Sequence, residues 1–208
     1  MFEAPDSPYL VPFDGSFDVS RASTRAQTDG HTHKGKYRRE AIKKLSTLQQ
    51  VLAAGDRHAV LLVFQAMDAA GKDSTIRSVM RGIDPSGCQV FSFKKPSSLE
   101  LDHDFLWRTT CRLPERGRIG IFNRSHYEDV LVVRVHELVP EGQWRRRFRQ
   151  INDFERMLAE EGTAILKFYL HISPEYQRSR FERRLAREDK QWKFNPGDLR
   201  ERARWDEY

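Results

Sequence analysis

The sequence predicts an α/β fold, a three-layer sandwich with a central parallel sheet, and three observations carry that expectation. Short apolar runs bounded by charge recur four times, helix-period stretches separate them, and no internal repeat relates the units. Runs of this kind suit strands buried on both faces, and strand–helix alternation suits parallel pairing through crossover helices.

Taken in order, residues 1–33 are rich in Ser, Asp, Thr, Pro and Gly and lack sustained periodicity, so they read as an N-terminal extension. His31 and His33 form a His-x-His pair there; with no Cys or carboxylate cluster beside them, an exposed turn accounts for them better than a metal site. The main domain is expected over 34–208. Ala41, Leu45, Leu48, Val51 and Leu52 recur at three- and four-residue spacings, which predicts a helix over 34–54. His58 to Phe64 is the first strand, and a helix over 73–82 follows a Gly-containing loop, with Gly82 as its stop. The second strand spans 89–93. Ser97 and Glu100 make a capping box for a helix expected to run through Trp107. The third strand covers 118–122, helices cover 125–136 and 141–160, and the fourth strand covers 163–171 before Pro174 opens another helix.

Composition narrows the partner class. The chain has 208 residues, 36 of them Lys or Arg against 30 Asp or Glu, a net charge of +6. With a pI near 9.4, a nucleic acid, nucleotide, phosphate polymer or acidic membrane would each suit the charge, which does not choose among them. No apolar run approaches the roughly 20 residues of a membrane span, and the acidic start lacks a secretory pattern, so a cytoplasmic protein is expected. Cys88 and Cys111 cannot form a disulfide framework and are read as small core residues.

The loop after the first strand carries the first chemical signal. Gln65-Ala66-Met67-Asp68-Ala69-Ala70-Gly71-Lys72-Asp73-Ser74-Thr75 lies between a buried strand and a helix start, where a phosphate cradle belongs. Small residues let backbone N–H groups approach phosphate oxygens, and the helix start adds favourable partial charge. Ala69, Ala70, Gly71, Lys72, Asp73 and Ser74 are therefore candidate phosphate-binding residues, with Lys72 as the mobile cation. Asp68 is a candidate to hold Mg²⁺ or orient an attacking oxygen. The pattern departs from G-x-x-x-x-G-K-[ST], because Ala66 fills the first glycine site and Asp73 follows the lysine. A tight turn with ordinary solvated charges is the alternative reading.

A second constellation starts at the end of the third strand. Asn123, Arg124, Glu128, Asp129 and Arg134 crowd into a dozen positions at the sheet edge where α/β ligand sites form. Arg124 and Arg134 could neutralise a transferring phosphoryl group, while Glu128 and Asp129 could anchor Mg²⁺ or position an acceptor. An amphipathic helix with surface ion pairs is the alternative.

The runs FQAMDAAGKDSTI, GCQVFSFKKPSSLELDHDFLWR, FNRSHYEDVLVVRVH and SRFERRLAREDKQWKFNPGDLRERARWDEY resemble the polyphosphate kinase 2 family, in particular its class III branch, over roughly Lys36 to Tyr208. The resemblance implies a P-loop kinase-like fold with a basic helical lid at about 176–196. Through it, Asp68 and Lys72 correspond to the Walker-A carboxylate and lysine, and Asp129 to a Walker-B-type acid that shares the metal with Asp68. Arg124 and Glu128 correspond to phosphate- and acceptor-handling positions. Asn123 and Lys94 lie near the nucleotide, and Asn123 stands where other branches carry Asp. Arg180, Arg184, Lys190 and Lys193 match basic lid positions. Ser74 stands where many members have Gly. Members also continue past the segment that ends here at Tyr208, so the family's C-terminal segment is expected to be missing from this sequence.

The residues themselves support a basic lid. Arg180, Arg184 and Arg187 fall at three- and four-residue spacing and are expected on one helix face. Arg145, Arg146, Arg147 and Arg149 form another basic run, read as a solvated face. The expected activity is Mg²⁺-dependent phosphoryl transfer between inorganic polyphosphate and adenine nucleotides (AMP or ADP), with guanine nucleotides left open. The resemblance also implies a homo-oligomer, with neither a membrane nor a specific nucleic acid as partner. Two alternatives stand beside it: an ATP-dependent nucleotide kinase, and a truncated, non-catalytic polyanion-binding relative.

Overall fold

The computed structural model describes residues 6–25 and 34–208, so the His31–His33 pair lies outside the described residues. Four strands form one parallel sheet: β1 (Ala59–Gln65), β2 (Cys88–Ser92), β3 (Ile119–Asn123) and β4 (Thr163–Tyr169), in the order β2-β3-β1-β4. Because β1 and β3 are central, their side chains are buried on both faces. Leu61, Val63 and Phe122 pack with Phe93 on one side, and Phe64, Ile119 and Ile121 pack with Ile76 on the other. That is why β1 reads as an unbroken apolar run rather than an alternating one. Gly120 of β3 is required by contact, since a Cβ there would lie 2.9 Å from the Pro114 ring.

The helices are α1 (Lys34–Gly55), α2 (Lys72–Val79), α3 (Ser98–Leu101), α4 (Trp107–Thr110), α5 (Glu128–Val135), α6 (Glu141–Glu160), α7 (Pro174–Leu185), α8 (Glu188–Gln191) and α9 (Pro196–Arg202). Among them, none is long and apolar enough to cross a membrane. The register aligns the strand ends that matter: Phe64 of β1 stands opposite Asn123 of β3, and Asn123 opposite Ser92 of β2. One rim of the sheet therefore gathers the loops that follow β1, β2 and β3.

Several expectations are corrected in detail. The capping box at Ser97–Glu100 forms, but the helix stops after one turn at Leu101, and α4 starts separately at Trp107. Between them the Asp104 carboxylate accepts from the Leu106 N–H at 2.9 Å, a local bond that competes with helix continuation. The helix after β3 starts at Glu128 rather than 125, α2 stops at Val79, and β4 stops at Tyr169. Half-buried Cys88 packs against the core cluster of Phe64, Ile76, Ile119 and Ile121, whereas Cys111 is exposed and is not a core residue.

The arginine run on α6 is not uniformly solvated. Arg145 pairs with Glu141 on the surface, whereas Arg147 is buried, donates to the Asp129 backbone carbonyl at 2.8 Å and stacks over Phe105. Arg147 thereby ties α6 to the first turn of α5.

Candidate active site

The loop between β1 and α2 is shaped by two left-handed residues, Ala69 (φ 62°) and Gly71 (φ 109°). Glycine adopts that region without strain, and the pair folds the loop back over the start of α2. Lys72 is the first residue of α2 and is buried. Its ammonium donates to the carbonyls of Ala66 (2.7 Å) and Met67 (3.3 Å). Burial, then the neighbouring Arg124 charge, pulls the Lys72 amine below its ordinary range, with Asp68, Glu128 and Asp73 opposing.

Arg124 follows β3 in a left-handed conformation (φ 62°), and its backbone N–H donates to the Phe64 carbonyl at 3.0 Å. This bond stitches the ends of β1 and β3 together and aims the guanidinium at the loop. There it meets the Asp68 carboxylate at 2.5 Å. Burial works against the Arg124 charge, but Asp68 and Glu128 more than offset it and raise the guanidinium's pKa. Asn123 donates to the Asp73 carboxylate at 2.6 Å, and Lys193 reaches the same carboxylate at 3.5 Å. Against the opposing effect of burial, these two contacts hold Asp73 below the usual carboxylate range.

These groups line a cavity of about 590 Å³ at the C-terminal rim of the sheet. The loop from Asp68 to Ser74 forms its floor, Lys94, Asn123 and Arg124 one wall, and basic residues of α7 and α8 the other. Ten cationic side chains line it against two carboxylates, Asp68 and Asp73. A polar site with that imbalance is built for a ligand carrying several negative charges.

Of the candidates read from sequence, Asp68, Ala69, Ala70, Gly71, Lys72, Asp73, Ser74, Lys94, Asn123, Arg124, Arg180, Arg184, Lys190 and Lys193 all line this cavity. Glu128 stands behind the wall. Burial raises its carboxyl pKa, and the nearby charges of Arg124 and Lys72 offset part of that rise.

Asp129 and Arg134 are not among the residues that line the cavity. The Asp129 carboxylate lies 3.7 Å from Arg147, and burial raises its pKa against the charges of Arg147 and Arg108. It does not line the cavity with Asp68. Arg134, almost two turns further on, donates instead to the Glu207 backbone carbonyl at 2.5 Å and fastens the C-terminal segment.

Sequence reasoning missed Arg77, Ser92 and Phe93 as lining residues. The signals were present: Arg77 is four residues beyond Asp73 on α2, and Ser92 and Phe93 end β2 at the rim. Arg187 also lines the cavity, yet not from the α7 face expected of it, because that helix ends at Leu185.

A divalent cation fits this donor set in one way only. No group of three or more His, Cys, Asp or Glu able to hold a metal is found among the described residues. Mg²⁺ commonly keeps its waters and is bound by one or two carboxylates plus substrate phosphates. Asp68 at the cavity floor suits that arrangement.

The parallel sheet and its flanking helices define an α/β domain of the P-loop kinase-like type. The chain belongs to the polyphosphate kinase 2 family, whose family model matches residues 28–208. It is 57% identical over 182 residues to the ADP-polyphosphate phosphotransferase of Rhodopseudomonas palustris, covering 82% of this chain and 63% of that protein. It is 50% identical over 203 residues to the AMP/ADP-polyphosphate phosphotransferase of Meiothermus ruber, covering 96% of this chain and 76% of that one. The crystal structure of polyphosphate kinase 2 from Arthrobacter aurescens TC1 superposes with a TM-score of 0.89 at 39% identity, over 93% of this chain and 71% of that chain. This chain thus spans less than two thirds of the Rhodopseudomonas relative's length.

Proposed function

We propose that this chain transfers phosphoryl groups between inorganic polyphosphate and nucleoside mono- or diphosphates, AMP and ADP first among them, with Mg²⁺ as cofactor. One observation supports this above the others: Lys72, Arg124 and the arginines of α7 converge on a single cavity whose floor is the Asp68–Ser74 loop. The acceptor named for the relatives is a nucleotide phosphate, which is already an anion, so the reaction needs no general base. What it needs is in-line positioning and neutralisation of crowded charge, and this site is made for both.

In this reading the N–H groups of residues 69–74 cradle one phosphate. Lys72 leaves the Ala66 and Met67 carbonyls for a phosphate oxygen, and Arg124 holds the oxygens of the transferring group. Arg180 and Arg184 of α7, with Lys190 and Lys193 beyond it, close over the polymer as a lid spanning about 176–196. Lys94 and Asn123 flank the nucleotide, and Glu128 keeps Arg124 and Lys72 charged from behind. Asp68 would hold Mg²⁺, which would supply charge neutralisation for the phosphates.

The test is an assay with polyphosphate, Mg²⁺ and either AMP or ADP, following ATP formation. ATP made at the expense of polyphosphate supports the reading. No turnover from folded protein with either acceptor would leave a polyanion-binding domain.

A further inference from the structure

The Asp68–Ser74 loop is held from outside by a residue that neither charge nor motif singles out. Gln177, in the second turn of α7, is 1% exposed. Its Nε2 donates to the Asp68 backbone carbonyl at 2.8 Å, across 109 residues of chain. Its Oε1 accepts from the Arg202 guanidinium at 3.0 Å, and the same Arg202 nitrogen donates to the Pro174 carbonyl at 2.7 Å. The amide cannot be turned over. A guanidinium only donates and a carbonyl only accepts, so Arg202 fixes which end of Gln177 faces Asp68.

We propose that Gln177, oriented by Arg202, is a positioning residue that keeps the Asp68–Ser74 loop in its phosphate-binding shape once Lys72 has moved onto the ligand. Three successive carbonyls of this loop are engaged here: Ala66 and Met67 by the Lys72 ammonium, and Asp68 by Gln177. The residue after Asp68 is the left-handed Ala69, a conformation that a non-glycine residue keeps only when its surroundings impose it. When a phosphate claims Lys72, the Ala66 carbonyl loses that donor, Met67 keeps only the local Ala70 N–H at 3.3 Å, and Gln177 is left as the side chain bonded to the backbone carbonyls of 66–68. Its contribution is therefore larger in the loaded state than in the empty one. That distinguishes it from a satisfied core amide, which would stabilise both states equally. The contact also joins the foot of the lid helix α7 and the C-terminal helix α9 to the phosphate cradle.

The inference rests on the transfer activity proposed above, and the experiment separates the two. Wild type, Gln177→Leu, Gln177→Glu and Arg202→Met are compared by thermal melting, by calorimetric titration with tripolyphosphate, and by ATP formation from polyphosphate and ADP. Gln177→Glu is the critical variant, because a carboxylate keeps its bonds from Arg202 but cannot donate to the Asp68 carbonyl.

The expected result is that both Gln177 variants remain folded at the assay temperature. Their kcat falls about ten- to a hundredfold, the scale set by misplacing a positioning group, and tripolyphosphate affinity falls about tenfold. Arg202→Met shows a smaller loss of the same kind. Wild-type kcat and affinity in folded Gln177→Glu would overturn the proposal. So would melting of both Gln177 variants below the assay temperature, which would make the residue a determinant of the fold alone. Should wild type bind tripolyphosphate without turning over, the transfer activity fails, and the titration still decides for or against Gln177. Should wild type not bind it, both ideas fall.

Discussion

Arg124 and Asp68 face each other across the floor of the cavity at 2.5 Å, joining the loop after β3 to the loop after β1. In the proposed reaction the guanidinium would serve phosphate oxygens and the carboxylate would serve Mg²⁺. Replacing Asp68 by Asn should lower turnover about a hundredfold or more and raise the Mg²⁺ concentration needed for half-maximal rate. Polyphosphate affinity in the absence of Mg²⁺ should hold or rise, because the cavity loses one of its two carboxylates. Asp129→Asn, turned towards Arg147 instead, should leave the Mg²⁺ requirement within about twofold of wild type. Titrating the rate with Mg²⁺ for both variants checks the pair.

Lys72 has a different balance between fold and chemistry. It is buried at a cost that lowers its pKa, and it recovers two carbonyl contacts in the loop. Lys72→Ala should lose about a hundred- to a thousandfold in turnover, typical of removing a donor that meets transition-state charge. Its melting midpoint should stay within a few degrees of wild type, since the lost contacts and the relieved burial oppose each other. Near-native turnover in this variant would remove Lys72 from the chemistry.

Glu128 should show a conflict between stability and function. Its folded-state pKa is raised by burial, so the ionised carboxylate is less favourable in the fold than in the open chain. A raised value means that stability is gained as pH falls through the folded pKa towards the unfolded one near 4.5, and lost above that window. Glu128→Gln should therefore be at least as stable as wild type at pH 7, with its advantage shrinking as pH falls through the raised folded-state pKa towards 4.5. Turnover should fall, because Arg124 and Lys72 lose the carboxylate behind them. Denaturant melts at pH 7 and pH 4.5 compare the two proteins.

Glu155 has the opposite sign. Burial opposes its charge, but His126, Lys167 and Tyr127 surround it, and the hydrogen bonds from them lower its pKa from 4.5 to about 2. The Tyr127 hydroxyl donates at 2.6 Å and the Lys167 ammonium at 2.7 Å. The stability this supplies is full above the unfolded pKa of 4.5 and is lost as pH falls from there towards about 2. Glu155→Gln should cost about 2–3 kcal/mol at pH 7, and the difference from wild type should close across that acid window. Tyr127 immediately precedes Glu128, so a modest loss of turnover is expected as well.

Much of this was legible along the chain because it is local. The apolar run of β1 declared a strand buried on both sides. The small residues before Lys72 declared a loop that could approach phosphate, and Asn123 with Arg124 declared polar residues at a strand end. Each of those signals lies within about ten residues, where periodicity and residue chemistry act directly. Helix ends were harder. The break between Leu101 and Trp107 depends on one Asp104 side chain finding the Leu106 N–H, and residue order does not display that contact.

Orientation was not legible at all. Asp129 and Glu128 are adjacent and chemically alike, yet Asp129 is turned to Arg147 while Glu128 lies in the field of Lys72 and Arg124. Arg134, a candidate phosphate ligand by residue type, donates to the Glu207 carbonyl in the fold. The same holds for Arg147, which stands among solvated arginines and is itself buried.

The amino-acid order by itself determined the parallel α/β plan, the small-residue loop before Lys72 and the positive charge destined for its rim, because strand burial, glycine placement and charge density are properties of short segments. Only the folded chain decided which carboxylate meets Arg124, which arginines face inward, and that Gln177 reaches the Asp68 carbonyl. Those outcomes depend on the rotation of each helix against the sheet, which is set by packing among residues a hundred positions apart.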